Sequence, residues 1–344
     1  MQSPVRLTLD SAALVHNYRA LAKASGGAAT GAAVKADGYG LGARNVVALL
    51  SDAGACDFFV AHWSEAAAIA DLVPAAQISV LNGVGDADMA AALSLGAVPM
   101  LNNPQQIQRW KQGGGGRCHV MIDSGINRLG IGPEQIADGL FDGLDIDICA
   151  SHLASADENS GQNARQLACF LAAAAHVPAK RRSFANSAGI MLGADYHFDL
   201  TRPGIALYGG IPRADMADMI RQVAYPKAQV IQIRMMPAGS LIGYNATYQC
   251  ASQKRVATIS LGYADGFRRA FSNAGAVSFG GMALPVIGRV SMDLVVLDAD
   301  QADGLTEGDW VTADYALSEA SEISGISQYE LLTGLGHRFD RIWG

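Results

Sequence analysis

The chain has 344 residues, half of them hydrophobic and 17% charged, which allows one large barrel or two domains and excludes a disordered chain. A formal net charge of −7 gives no general attraction to nucleic acid or anionic membrane, and no basic run supplies a local one, so small molecules are the expected partners. The opening MQSPVRLTLD lacks the apolar stretch of a secretory signal and no segment reaches spanning length, so a cytoplasmic address is expected.

In chain order, VRLTLD (5–10) comes first, an extended segment able to add a strand to the unit that follows or to pair with a later β domain. From residue 30 to about 210 a short apolar run, a polar or glycine-bearing turn and an alanine-rich helical stretch recur, the rhythm of parallel βα units. The runs are AAVKADGYG (32–40), FFVAH (58–62), ISVLNG (78–83), VPMLNN (98–103), HVMIDSG (119–125), IDICASH (146–152), RSFANS (182–187) and HFDLTRPG (197–204). Eight units specify a (β/α)8 TIM-like barrel, and no GxGxxG follows the first strand to support a doubly wound nucleotide fold. The Gly113–Gly116 run reads as a helix-to-strand loop.

After Tyr225-Pro226 the pattern changes to alternation of period two, in AQVIQIRMM (228–236), RVATISLGY (255–263), AVSFGGMALPVIGRVSMDLVVLD (276–298) and DWVTADY (309–315). The expected organisation is a barrel over 1–225 and an all-β domain over 226–344. The five cysteines, Cys56, Cys118, Cys149, Cys169 and Cys250, show no CxxC spacing, so neither disulfides nor a metal site is expected and they read as reduced core residues.

Barrel chemistry sits at the C-terminal ends of the strands. Lys35, His62, Asn82, Asn102, Asp123, His152, Ser187 and Arg202 fall at or just beyond those ends. A lysine buried there has a depressed pKa and becomes an amine nucleophile able to condense with an aldehyde. Spacing alone favours instead a lysine that snorkels to solvent. The loops after strands seven and eight, where barrels often bind phosphate, carry Ser187, Gly204 and Ile205, a hydroxyl and two N–H groups suited to a dianion.

VKADGYGLGA (34–43) resembles the cofactor-lysine motif of alanine racemases. DSGINRLG (123–130), SHLASAD (151–157), NSAG (186–189), RPGIALYG (202–209), GYNATY (243–248), LGYADGF (261–267) and GRVSMD (288–293) resemble further segments of that family in its order and spacing. The likeness covers nearly the whole chain. It implies pyridoxal 5'-phosphate held on Lys35 as a Schiff base, with Arg202 at the pyridine nitrogen and Tyr39 joining Ser187, Gly204 and Ile205 at the phosphate. Arginine keeps its proton, so it donates to the ring nitrogen without protonating it, which favours racemisation over transamination.

Inversion needs acid–base groups on both faces of the substrate carbon. The resemblance implies Lys35 acting on the D-enantiomer and Tyr244 on the L-enantiomer. Tyrosine is a poor base at neutral pH, and His152, linked to both Tyr244 and Arg202, is what the family offers to assist it. Tyr244 would reach the barrel mouth of a second subunit in a head-to-tail homodimer. Met292 and Asp293 would approach the substrate, Arg128 and the Met292 N–H would take its carboxylate, and Tyr263 would narrow the entrance.

Two positions depart from the family. Met121 stands where many members carry a modified lysine that orients the arginine matched by Arg128, and His337 stands where some place a phosphate-contacting tyrosine. The implied activity is interconversion of L- and D-alanine, supplying D-alanine for peptidoglycan. A racemase for another small amino acid such as serine is the nearer alternative, and a decarboxylase or a non-enzymatic pyridoxal phosphate carrier the more distant ones.

Overall fold

The computed structural model describes residues 3–344 and divides into two compact units, Leu14–Arg221 and a second made of the N-terminal segment through Ala13 with Gln222–Gly344. In the first unit the parallel strands Phe58–Val60, Ile78–Val80, Val98–Leu101, Arg117–Met121, Asp145–Ala150, Arg181–Asn186 and Leu200–Arg202 pair in chain order. The ring closes through one interrupted strand, since Ala29–Thr30 pairs with the last of these and Ala32–Ala33 with the first. The interruption is Gly31, where a Cβ would lie 2.8 Å from the Asp57 carbonyl. Counted through that break, the barrel has the eight strand positions expected from the sequence.

Helices lie where their stop and start signals predict them. Pro104–Gln112 begins with Asn103 accepting from the Gln106 N–H and proline in its first turn, and Gly161–Ala174 begins with Ser160 accepting from the Gln162 N–H. The Gly113–Gly116 loop is packed under Trp110, whose indole N–H donates to the Gly116 carbonyl at 2.9 Å. The connection between strands five and six departs from the rhythm. Only a 3-10 turn, Pro133–Gln135, forms there, and Gly139 and Gly143 at φ +77° and +76° break the segment before a helix can propagate. The link between strands seven and eight likewise has 3-10 turns in place of a helix.

The second unit is built on one long strand, Ala224–Met236, whose residues alternate between buried and half-buried over its first half. Val5–Leu9 pairs antiparallel with it, burying Val5, Leu7 and Leu9, and is flanked on its other edge by Asp340–Trp343. This ladder is what assigns the N-terminal segment to the β unit. The hairpin Ala276–Phe279 and Met282–Pro285 turns on Gly280 and Gly281, both at positive φ. The unit is mostly rather than wholly β, because Leu317–Ser324 and Gln328–Thr333 are helices that bury Leu317, Ala320, Leu331 and Leu332.

Cys118, Cys149 and Cys250 are buried as expected, Cys169 is half-buried, and Cys56 is exposed because it sits in the turn between a helix end and the second strand. Among the described residues no helix is long and apolar enough to cross a membrane.

Candidate active site

At the end of the first barrel strand the backbone makes one turn of left-handed helix. Ala36, Asp37, Gly38 and Tyr39 all have φ between 53° and 62°. Non-glycine residues adopt this conformation at a cost of roughly 1–2 kcal/mol each, so the surroundings must hold it. The Asp37 carboxylate accepts from the Ala43 N–H at 2.8 Å, its carbonyl accepts from Gly42 at 2.9 Å, and a Glu65 carboxylate oxygen accepts from the Ala36 N–H at 2.7 Å. Lys35 begins this turn and is half-buried. Burial and the nearby Arg128 guanidinium pull its pKa below the usual lysine range, against an opposing pull from Glu65.

Arg202 ends the eighth strand and is buried, with its guanidinium donating to the Ser183 hydroxyl and, at 2.6 Å, to the Ser151 carbonyl. Among the described residues no carboxylate pairs with it. Burial lowers its pKa to about 10, so it remains a cation at neutral pH. His152, at the end of strand six, feels the charges of Arg202, Arg128 and Lys35, and burial above all brings its pKa to about 3. It is therefore a neutral imidazole in this surrounding, and the positive charge beside it belongs to Arg202, Arg128 and Lys35. The Asp123 carboxylate accepts from the N–H groups of Gly125, Asn127 and Arg128 and shapes its own loop. The barrel mouth thus gathers Lys35, Arg128, His152 and Arg202 into a site of positive charge, suited to an anionic ligand.

The loop after strand eight supplies the cradle. Ser187 Oγ accepts from the Gly204 N–H at 2.8 Å and the Ala206 N–H at 3.3 Å, at the start of the 3-10 turn Ile205–Tyr208. A Cβ on Gly204 would lie 2.2 Å from the Tyr39 hydroxyl, so this glycine admits the tyrosine to the cradle. The Ser187 hydroxyl thereby draws the N–H groups of this turn together beside the Tyr39 phenol, the donor types by which a phosphate dianion is held. Met121 ends strand five, buried, and offers no charge.

In the β unit, Tyr244 stands at the tip of the hairpin Leu241–Ile242 and Tyr248–Gln249 and is 68% exposed. Its base is firm: Ile242 packs with Cys250, Val256 and Ile287, and Gly243 lies against the Arg289 backbone. Tyr263 and Met292 belong to two laced turns, in which the Tyr263 and Ala264 N–H groups donate to the Ser291 and Met292 carbonyls, both at 3.0 Å. Gly262 permits this contact, because a Cβ there would lie 2.2 Å from the Met292 carbonyl oxygen. The Arg269 guanidinium lies over the Tyr263 ring at 5.3 Å, and exposed Asp293 accepts from Arg338 at 2.7 Å. His337 is exposed, just before Arg338.

Four supporting residues escaped the sequence reading. Glu65 binds the turn after Lys35, Tyr208 underlies Tyr39, Gln166 joins the ends of strands five and six through Ser124 and the His152 carbonyl, and Arg338 ties Asp293 to buried Asp265. Only the Glu65 position carried a signal, as an acid in the first turn of Trp63–Ile69.

A closed ring of parallel strands with cationic side chains gathered at its mouth, together with a separate mostly-β unit, defines a two-domain barrel enzyme. Residues 9–212 match the alanine racemase N-terminal domain and residues 223–343 the alanine racemase C-terminal domain. The chain is 43% identical to a catabolic alanine racemase of Agrobacterium fabrum, covering 97% of this chain and 91% of that protein, and 38% identical to the biosynthetic one, covering 99% and 94%. The crystal structure of alanine racemase from Bartonella henselae with covalently bound pyridoxal phosphate superposes with a TM-score of 0.93 at 35% identity over the whole of both chains. The chain belongs to the alanine racemase family.

Proposed function

We propose that this protein interconverts L- and D-alanine with pyridoxal 5'-phosphate, using Lys35 and Tyr244 as its two acid–base groups. The observation that carries the reading is the mouth of the barrel, where a lysine of depressed pKa shares a site with Arg128, Arg202 and the Ser187–Gly204 cradle. The serine alternative has no observation in its favour, as the matching domains and the relatives at 38–43% identity bear the name of alanine.

When bound, the cofactor supplies an aldehyde for the lysine amine and an electron sink that acidifies the substrate Cα–H. Lys35 would hold it covalently; Ser187, Gly204, Ile205 and Tyr39 would hold its phosphate and Arg202 its ring nitrogen. Arg202 would donate a hydrogen bond there and keep its proton, since its pKa of about 10 lies well above neutrality. Lys35 Nζ, its pKa lowered from the usual lysine range by burial and by Arg128, would give up its proton more readily than a free lysine and serve as the group on one face. Tyr244 Oη would act on the opposite face, reached from the partner subunit of a homodimer, with neutral His152 linking it to the charge of Arg202. Arg128 and the Met292 N–H would receive the substrate carboxylate beside Asp293, and Tyr263 would restrict side-chain size. The enzyme would work in the cytoplasm, making D-alanine for peptidoglycan.

The test is incubation of the purified protein with L-alanine and measurement of D-alanine, beside Lys35→Ala and Tyr244→Phe. Full-rate turnover by Lys35→Ala sinks the mechanism. Carbon dioxide release without racemisation would place the protein among decarboxylases instead.

A further inference from the structure

We propose that Glu65 is a positioning residue for Lys35, holding the left-handed turn that follows the lysine and so fixing where the amine stands. The proposal rests on the reading of Lys35 as the cofactor-bearing base. Glu65 lies in the first turn of the helix Trp63–Ile69, where an acid ordinarily caps the helix by accepting from its first N–H groups. Capping accounts for one of its bonds, from the His62 N–H at 3.2 Å. Two shorter bonds go elsewhere. One oxygen also accepts from the Ala61 N–H at 2.7 Å, at the end of strand two, and the other accepts from the Ala36 N–H, also at 2.7 Å, at the end of strand one.

The carboxylate thereby joins two adjacent strand ends and grips the peptide that links Lys35 to Ala36. That peptide opens five successive residues of positive φ, Ala36 to Gly40, three of which are not glycine. Left-handed conformation in such residues persists only where neighbours impose it. Of the charged and titratable groups around the lysine, Arg128, His152 and Arg202 belong to the cationic mouth, Asp37 is bound to the Ala43 N–H, and Glu65 is the carboxylate whose charge favours the ammonium form. Glutamine at 65 keeps the size but has one acceptor oxygen, so it cannot satisfy both sets of N–H groups.

The experiment compares wild type, Glu65→Gln, Ala36→Gly and the double variant. With the full-length protein stripped of cofactor, capture of added pyridoxal phosphate at Lys35 is followed by absorbance, located by borohydride reduction and peptide mass, and repeated across pH. In Glu65→Gln the plateau capture rate should fall about tenfold or more through misplacement of the amine, and the pH midpoint should move down with the lost negative charge. In the reconstituted enzyme kcat should fall in the same variant while KM stays within about twofold. Ala36→Gly, which removes the Cβ from the first strained residue, should restore part of the loss on the Glu65→Gln background and change little in wild type. Should Glu65→Gln not fold, the double variant against Ala36→Gly gives the same comparison. An unchanged capture midpoint and kcat in Glu65→Gln, or a loss that glycine at 36 does not relieve, overturns the proposal. If wild type captures pyridoxal phosphate at Lys35 but does not racemise alanine, the functional reading fails while the capture profile still decides the role of Glu65.

Discussion

Tyr39 lies on Tyr208 with ring centroids 4.7 Å apart and 27° between the planes. Tyr208 is itself fixed, because its hydroxyl donates to the Ala33 carbonyl at 2.8 Å, two residues before Lys35. One buried phenol therefore ties the loop after strand eight to the first strand and supports Tyr39, the tyrosine proposed to join the phosphate site. Tyr208→Phe keeps the stacked ring and leaves a buried carbonyl unpaired, which costs about 1–3 kcal/mol. The expected outcome is a lower urea midpoint with kcat close to wild type. Tyr208→Ala also removes the stack, and it should lose cofactor on dialysis as well as stability. Equal kinetics and cofactor retention in Tyr208→Ala would contradict the support assigned to Tyr39.

Gly204 provides a second way to disturb the cradle. A methyl group there meets the Tyr39 hydroxyl at 2.2 Å, far inside contact distance, so Tyr39 must leave its position. Gly204→Ala should raise the dissociation constant for pyridoxal phosphate by roughly tenfold, the loss of one good hydrogen bond. The protein should remain folded, because the displaced group is a side chain rather than the ring of strands. Cofactor titration of the stripped protein measures it, and unchanged affinity would show that Tyr39 is not part of the phosphate site.

The strand ends were legible from sequence because a parallel barrel places buried runs and functional turns in strict succession. Lys35, His152 and Arg202 are at ends that the pattern marks, and they meet at one mouth. What supports them was not legible. Glu65 reaches Ala36 across 29 positions, and Arg338 reaches Asp265 across 73, distances over which one sequence carries no pairing signal. The missing fifth helix had a readable warning in Gly139 and Gly143, both of which take positive φ. The two helices of the β unit were hidden inside a region whose period-two runs set the expectation. Leu317 and Ala320 stand three apart, as on one face of a helix, but the adjacent Leu331-Leu332 pair carries no such spacing.

Arg338 tests the platform in the β unit. Its guanidinium forks onto Asp265, at 2.8 and 2.9 Å, and its remaining arm holds Asp293 at 2.7 Å. Asp265 is 1% exposed and also receives the Gly262 N–H, at 2.9 Å, in the turn that carries Tyr263. Arg338→Met leaves that carboxylate buried without its cation and frees Asp293. The expected cost is about 2 kcal/mol, held down because Arg338 itself is half exposed. KM for alanine should rise more than kcat falls, since the variant loosens Asp293 and the turn of Tyr263, which are proposed to lie at the substrate rather than at the proton-transfer groups. A change confined to kcat would speak against that placement.

His119 gives the stability a defined pH dependence. It is 1% exposed inside the barrel, where Nδ1 accepts from the Ile148 N–H at 3.2 Å and Nε2 lies 3.0 Å from the Ser79 hydroxyl. That arrangement requires a neutral ring with its proton on Nε2, and burial, aided by Arg117, Arg181 and Arg202, lowers the pKa to about 3 against the pull of Asp147. Between about pH 6.5 and pH 3 the unfolded chain then binds a proton that the folded chain does not. Stability from this group is complete above its unfolded pKa and is lost as pH falls through the window. Asp147, held near pKa 2 by hydrogen bonds from Arg181 and Arg117 against the cost of burial, adds a loss of the same sign at the acid end. His119→Gln retains an acceptor for the Ile148 N–H and cannot gain the proton. The slope of unfolding free energy with pH should therefore decrease by up to about 1.4 kcal/mol per pH unit in urea melts at pH 6, 5 and 4. Identical slopes for the two proteins would mean that His119 titrates when folded as it does when unfolded, and that the neutral ring inferred from its two hydrogen bonds is wrong.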